Sequence, residues 1–299
     1  MSGVSDNLRA GLCMMVAMGS FAFNDALVKT LGGVFGAGQV LAVRGSLAGV
    51  LILVLLWQRG LLRRWPEALV PIVLLRAAFE LAGTLAFLAA LVRLPFATIS
   101  AILQALPLAV TLGAALVFRE RVGWRRWLAI LVGFGGVMLV IRPGAEAFDT
   151  ASLWMLLCVA CAAGRDLSTR AMPPPLPSLL VSATTIVFGA IGGFGLCLVQ
   201  GEWVALTGTA WRTLALAALF LLLAHQFIVL AMRRGDVAVV VPFRYTNLLW
   251  AIALGLWLFD ERPDRWTLLG AAVIVSTGLF TLYRETRRGA SSSPVLSRR

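Results

Sequence analysis

Seven ionisable side chains stand where an apolar chain has least use for them. Asp25, Arg44, Arg76, Glu80, Arg165, Asp166 and Arg244 each interrupt a long run of apolar residues. A charge held in hydrocarbon costs about 2.5–3.5 kcal/mol on insertion scales, so such groups face a polar cavity or one another. Four guanidiniums against three carboxylates leave one positive charge over, which suits a substrate that brings a carboxylate or another anionic group. An arginine that snorkels or bonds backbone carbonyls would explain the surplus equally well. Arg76 and Glu80, four apart, are adjacent on one helix face and are expected to form an internal ion pair. Asp25 with Arg44, and Asp166 with Arg244, are expected to form two polar clusters, one toward each membrane face.

The uncharged polar residues add candidates. His225, the single histidine, precedes Gln226 inside an apolar run, where it is either a substrate or proton ligand or a hydrogen-bonded packing residue. Gln104 and Tyr245 each lie near a proline, Pro107 and Pro242, and a mid-helix proline frees backbone carbonyls or permits a bend. Asn24, Thr84 and Asn247 complete the polar set. Phe79, Phe243, Tyr245 and Trp250 flank it and either line an apolar cavity or pack in the core.

The chemistry of a membrane enzyme is missing. There is no G-x-x-x-x-G-K-[ST] loop, no H-E-x-x-H and no G-x-S-x-G turn. Cys158 and Cys161 form a C-x-x-C, but in an apolar helix with no nearby histidine, so neither a metal nor a redox cofactor is expected. Lys29, the only lysine, stands at a helix end, which disfavours a Schiff base. No cofactor is expected. Transport, if uphill, must draw on an ion or substrate gradient.

The elements that hold these residues are legible from hydropathy. Hydrophobic residues make up 60% of the 299, against the roughly 45–50% of soluble domains, so the chain is an integral membrane protein with the lipid bilayer as its partner. Ten apolar runs are long enough to cross roughly 30 Å of hydrocarbon: about 8–29, 37–58, 68–91, 96–118, 124–142, 151–170, 178–200, 211–232, 237–259 and 265–283. The first carries Asn24 and Asp25 and no A-x-A site, so it is expected to remain uncleaved. Basic residues concentrate on alternate loops. Arg59, Arg63, Arg64, Arg119, Arg121, Arg125, Arg126, Arg233 and Arg234 fall on the side of the N-terminus, whereas only Lys29, Arg93, Arg142, Arg212, Arg262 and Arg265 fall opposite. This places both termini in the cytoplasm. The net charge of +12 is therefore topological and implies no nucleic acid. Most tryptophans, such as Trp57, Trp124 and Trp266, mark helix ends.

A repeat organises the ten runs. VFRERVGWRRW at 117–127 returns as LFDERPDRW at 258–266, and a shift of 141 aligns Phe118 with Phe259, Glu120 with Glu261, Gln104 with Tyr245 and Thr84 with His225. Five helices per unit is an odd number, so the second unit enters the membrane inverted. The first hinge sets four arginines against one glutamate, the second two arginines against three acids. A cytoplasmic hinge should be the positive one, and the hinges are expected to mark topology rather than chemistry. The resulting all-α fold has a first repeat at 1–146, a second at 147–286 and a disordered tail at 287–299. G-x-x-x-G spacing at Gly32/Gly36 and Gly189/Gly193 is expected to serve internal packing, and the chain to be a monomer.

With FRER…W and FDER…W hinges, NDALVK closing the first helix, the arginine of QVLAVRGSLAG and the proline of ALPLAVTLGAALVFRE, the sequence resembles the EamA branch of the drug/metabolite transporter superfamily over about residues 8–284. The resemblance implies a secondary, alternating-access carrier of small organic molecules in a bacterial inner membrane, often an exporter of amino acids, the aromatic ones in particular. GRDLSTR is similar to a pattern found in uptake carriers for nucleoside-like metabolites. A membrane-embedded enzyme is the alternative of a different class.

Overall fold

A bilayer offers no partner to a free N–H or C=O, so an apolar chain must satisfy its backbone within helices. The computed structural model describes residues 2–119, 123–144, 148–172, 176–201, 203–234 and 240–291; within its helices the side chains of several residues, His225 and Gln226 among them, lie outside the described set. The described residues form no strand. Their helices are α1 (Ser2–Thr30), α2 (Ala37–Gln58), α3 (Pro71–Leu91), α4 (Phe96–Leu103), α5 (Leu106–Val117), α6 (Trp124–Ile141), α7 (Ala151–Arg170), α8 (Ser178–Gln200), α9 (Gly208–Arg234), α10 (Thr246–Phe259) and α11 (Arg265–Ser291), with 3₁₀ turns at Leu62–Ala68 and Val241–Tyr245. Six stretches among the described residues are long and apolar enough to cross a membrane, and Trp127–Ile141, Gly208–Ala224 and Arg265–Thr281 are shorter apolar helices.

The fourth apolar run is not one helix. Pro107 has no N–H to give the Leu103 carbonyl, and α4 stops at Leu103 while α5 starts at Leu106. The ninth run is likewise modified, entering α10 through the turn that contains Pro242. At the other terminus α11 continues to Ser291, past the start of the expected tail at residue 287, because TLYRETRR is rich in helix formers; residues 292–299 lie outside the described set.

The long-range packing is almost entirely between the two halves. Helix α1 packs along α9, α3 along α7, α2 along α8, α6 along α11, and α4 against α10. The 141-residue shift exchanges the first two pairings and maps the α2–α8 and α6–α11 pairings each onto itself, which is the pattern of a pseudo-two-fold axis. Close approach at these crossings depends on missing side chains. A β-carbon on Gly193 would stand 2.5 Å from the Ala42 nitrogen and 2.8 Å from the Gly38 carbonyl, so α2 and α8 meet backbone to backbone. Outward-facing Leu131, Ile191, Leu198, Val199 and Leu249 are exposed, as a lipid-facing surface requires.

Candidate functional site

The buried charges gather where α1, α2, α3 and α7 meet near the start of α10. Arg165 on α7 is the hub. Its guanidinium contacts Glu80 Oε2 at 3.0 Å and Asp166 Oδ1 at 2.8 Å, with about a quarter of the arginine side chain exposed. The expected Arg76–Glu80 pair is not formed. Although four residues apart on α3, the two diverge because α7 packs against that face: Glu80 takes Arg165, and Arg76 donates to Thr169 Oγ1 at 2.9 Å and Thr185 Oγ1 at 2.5 Å. Asp25 and Arg44 do meet electrostatically, but through a third residue. Arg44 Nη1 donates to Asn24 Oδ1 at 3.2 Å, and Asn24 Nδ2 donates to Asp25 Oδ1 at 2.7 Å. Asp166 and Arg244 also act on one another electrostatically, yet the direct partner of Asp166 is Arg165. The side chain of Arg244 is exposed.

Among the described residues, Arg44, Arg76 and Arg244 have no carboxylate within 4.0 Å. Their partners are an amide, two hydroxyls and, for Arg244, no hydrogen bond. Three guanidiniums that each act electrostatically on the Glu80–Arg165–Asp166 cluster, and that have no bonded acid among the described residues, can receive an anion.

On the axis the break in the fourth run places Gln104 against the ninth. Gln104 Nε2 donates to the Tyr245 carbonyl at 3.2 Å, so two residues that correspond under the 141 shift touch each other. Asn247 Nδ2 donates to Ser100 Oγ at 3.3 Å, whereas Asn247 Oδ1 and the Tyr245 hydroxyl are buried without a hydrogen-bond partner among the described residues. Aromatic faces lie on either side. Phe23 stacks on Phe220 with centroids 5.3 Å apart and tilts against Trp250 at 6.3 Å; Phe79, which the shift maps onto Phe220, packs against Gly164 of α7, and Phe243 against Gly11 of α1. Thr84 is half-buried on α3. His225 and Gln226 lie on α9, with side chains outside the described residues.

Cys158 and Cys161 are buried beside Gly83 of α3 and act in packing. Among the described residues no three His, Cys, Asp or Glu side chains are placed to hold a metal.

The second hinge does more than turn the chain. Glu261 pairs with Lys29 at 2.8 Å and accepts the Phe96 N–H, while Lys29 also donates to the Leu94 carbonyl at 2.6 Å. Sequence reasoning set both residues aside, the lysine as a helix end and the hinge as a topology marker. The same shift that aligned the hinges would have found the rest, since it maps Asp25 to Asp166 and Lys29 to Arg170.

The model of the EamA-like transporter family matches residues 8–142 and again 149–283. The chain belongs to the EamA-like transporter family. Members with similar sequences include a riboflavin transporter of Rhizobium johnstonii, 31% identical over 72% of this chain and 71% of that protein. An S-adenosylmethionine uptake transporter of Rickettsia conorii is 25% identical over 91% of this chain and 92% of its own length, and a pseudopaline exporter of Pseudomonas aeruginosa is 27% identical over 91% and 95%. A solved structure superposes with a TM-score of 0.63 at 18% identity, covering 95% of this chain and 99% of that one, a likeness of fold alone. This EamA protein is thus a small-molecule transporter of the bacterial inner membrane, not an enzyme.

Proposed function

We propose that this EamA transporter is a ten-crossing carrier of two inverted five-helix repeats with both termini cytoplasmic, and that its substrate joins a carboxylate to an aromatic or heteroaromatic ring. The observation that carries the proposal is the set of three guanidiniums, Arg44, Arg76 and Arg244, that hold no carboxylate among the described residues. A substrate carboxylate forming bidentate bonds there replaces the neutral partners at little desolvation cost. The ring finds the faces of Phe23, Phe220 and Trp250, and a ring N–H finds the unpartnered Asn247 Oδ1.

Aromatic amino acids satisfy this description, and so does S-adenosylmethionine, in which an adenine and an amino-acid carboxylate share one molecule. The amino-acid and nucleoside-like readings of the sequence therefore converge on one chemistry. Relatives that carry the words uptake and exporter are matched about equally well, so direction is assigned by transport and not by likeness.

Counterflow into proteoliposomes tests the proposal with matched pairs that differ only in the carboxylate, tryptophan against tryptamine foremost, beside S-adenosylmethionine and riboflavin. Exchange of tryptophan or S-adenosylmethionine with little exchange of tryptamine supports it. Equal exchange with and without the carboxylate, or exchange of riboflavin alone, refutes it.

A further inference from the structure

Arg76 enters the polar centre from α3 with two of its nitrogens already engaged. Nε donates to Thr169 Oγ1 of α7 at 2.9 Å, and Nη1 donates to Thr185 Oγ1 of α8 at 2.5 Å. Each hydroxyl in turn gives its own proton to the helix that carries it, Thr169 to the Arg165 carbonyl at 2.8 Å and Thr185 to the Val181 carbonyl at 2.9 Å. Both oxygens are therefore fixed as acceptors, and neither threonine has a proton left to offer a carboxylate. The guanidinium meets two neutral oxygens where an ionised one would bind more strongly.

The two bonds are not equivalent. A guanidinium receives a carboxylate with two parallel bonds, along either its Nε–Nη2 edge or its Nη1–Nη2 edge. Nε carries a single hydrogen, so a carboxylate on the first edge must displace Thr169, whereas Nη1 carries two and can keep Thr185. Nη2 has no hydrogen bond among the described residues. Thr185 is only 8% exposed, so the Nη1 side of the guanidinium faces packed protein, while Thr169 is exposed on the last turn of α7. The open edge is the one that Thr169 occupies.

We propose that Thr169 competes with the substrate carboxylate for Arg76, and that Thr185 is the positioning residue that holds the guanidinium while the exchange takes place. The inference rests on the carboxylate reading and deepens it. The carboxylate arrives on Nε and Nη2, Thr169 is left bonded only to its own helix, and Thr185 keeps Nη1. Binding exchanges one bond to a neutral oxygen for two to an ionised group, so the affinity reflects the difference between them. Thr169 accordingly weakens binding and Thr185 strengthens it. A carrier must also let its substrate go, and the displaced Thr169 stands ready to take Arg76 back. Two threonines bonded alike to one arginine thus act on affinity with opposite sign.

Equilibrium binding of radiolabelled tryptophan and S-adenosylmethionine to the purified protein tests this, with tryptamine as the control that lacks a carboxylate. Thr169→Val, close in shape and at an exposed position, lowers the Kd of the two carboxylates roughly fivefold, and Thr185→Val raises it roughly tenfold, the scale of one charge-assisted hydrogen bond. Thr169→Ser and Thr185→Ser, which retain the acceptor oxygen, return the Kd toward the parent value. Tryptamine binding moves in neither valine variant. The exposed Thr169→Val decides the matter even where Thr185→Val folds poorly. Unchanged or weaker binding of the carboxylates in Thr169→Val overturns the inference, as does a shift of the same sign in both valine variants; a parent that still prefers tryptophan to tryptamine then keeps the carboxylate reading standing. A parent that binds tryptamine as well as tryptophan, or binds neither carboxylate, fails that reading and this inference with it.

Discussion

Whether Glu80 belongs to Arg165 or to Arg76 decides how the charged centre is wired, and a pair of double-mutant cycles measures it. At 3.0 Å the bare attraction of two unit charges is about 5 kcal/mol at an effective dielectric of about 20. Desolvation opposes it, and exposure of 25% and 34% for the two side chains lets water screen what is left. A coupling of about 1–2 kcal/mol is the expected remainder. Arg165→Met alone should cost more, about 2–4 kcal/mol, because it strands both Glu80 and Asp166. Unfolding in detergent micelles, followed by tryptophan fluorescence for Arg165→Met, Arg76→Met, Glu80→Gln and the two double variants, gives both cycles. A smaller coupling is expected between Arg76 and Glu80, which act on one another only at a distance because Arg76 donates to Thr169 and Thr185. A larger coupling for Arg76–Glu80 than for Arg165–Glu80 would refute the assignment and restore the pairing that helix spacing alone suggests.

Three further outcomes follow from contacts described above. Gly193→Ala should destabilise by about 1–3 kcal/mol in the same micelle assay, because the added carbon must push α8 off the α2 backbone. Arg244→Gln should leave stability within about 0.5 kcal/mol, since Arg244 makes no hydrogen bond or ion pair among the described residues, while cutting counterflow of ring-carboxylates; unchanged counterflow would remove Arg244 from the site. Asp264 lies ahead of the last crossing, where burial raises its carboxyl but the Thr267 N–H and hydroxyl and the Arg142 guanidinium outweigh that and hold it below the usual range. A depressed acid contributes stability that is present above its unfolded value and lost as pH falls through its folded one. Asp264→Asn should accordingly destabilise at pH 7 and converge with the parent in acid; a gap that persists there would exclude the ionised carboxylate as the cause.

The charged residues were legible because hydrocarbon makes them conspicuous, and so were the runs that carry them. Partner choice was not. The four-residue rule sees only one helix, and the partner of Glu80 comes from α7, which long-range packing brings across α3. The proline at 107 announced a loosened helix, but only the fold shows that the break delivers Gln104 to Tyr245. Lys29 was discounted by its place at a helix end, where solvent would leave it idle, and nothing local in the sequence says that Glu261, more than two hundred residues on, arrives to bury it. The repeat was the missing instrument, since the offset that aligned the hinges also aligns their cations.

The crossing of nearly every helix pair between halves bears on how the protein is made. When the ribosome has delivered α1 to α6, the partners of those helices, α7 to α11, do not yet exist. The first half must wait in the bilayer with Arg76 and Glu80 without their α7 and α8 partners and its small-residue faces uncovered, and it becomes a packed structure only as the second half threads in beside it. Severing the chain near residues 145–147 would therefore yield two fragments that are each short-lived when made alone and that persist when made together.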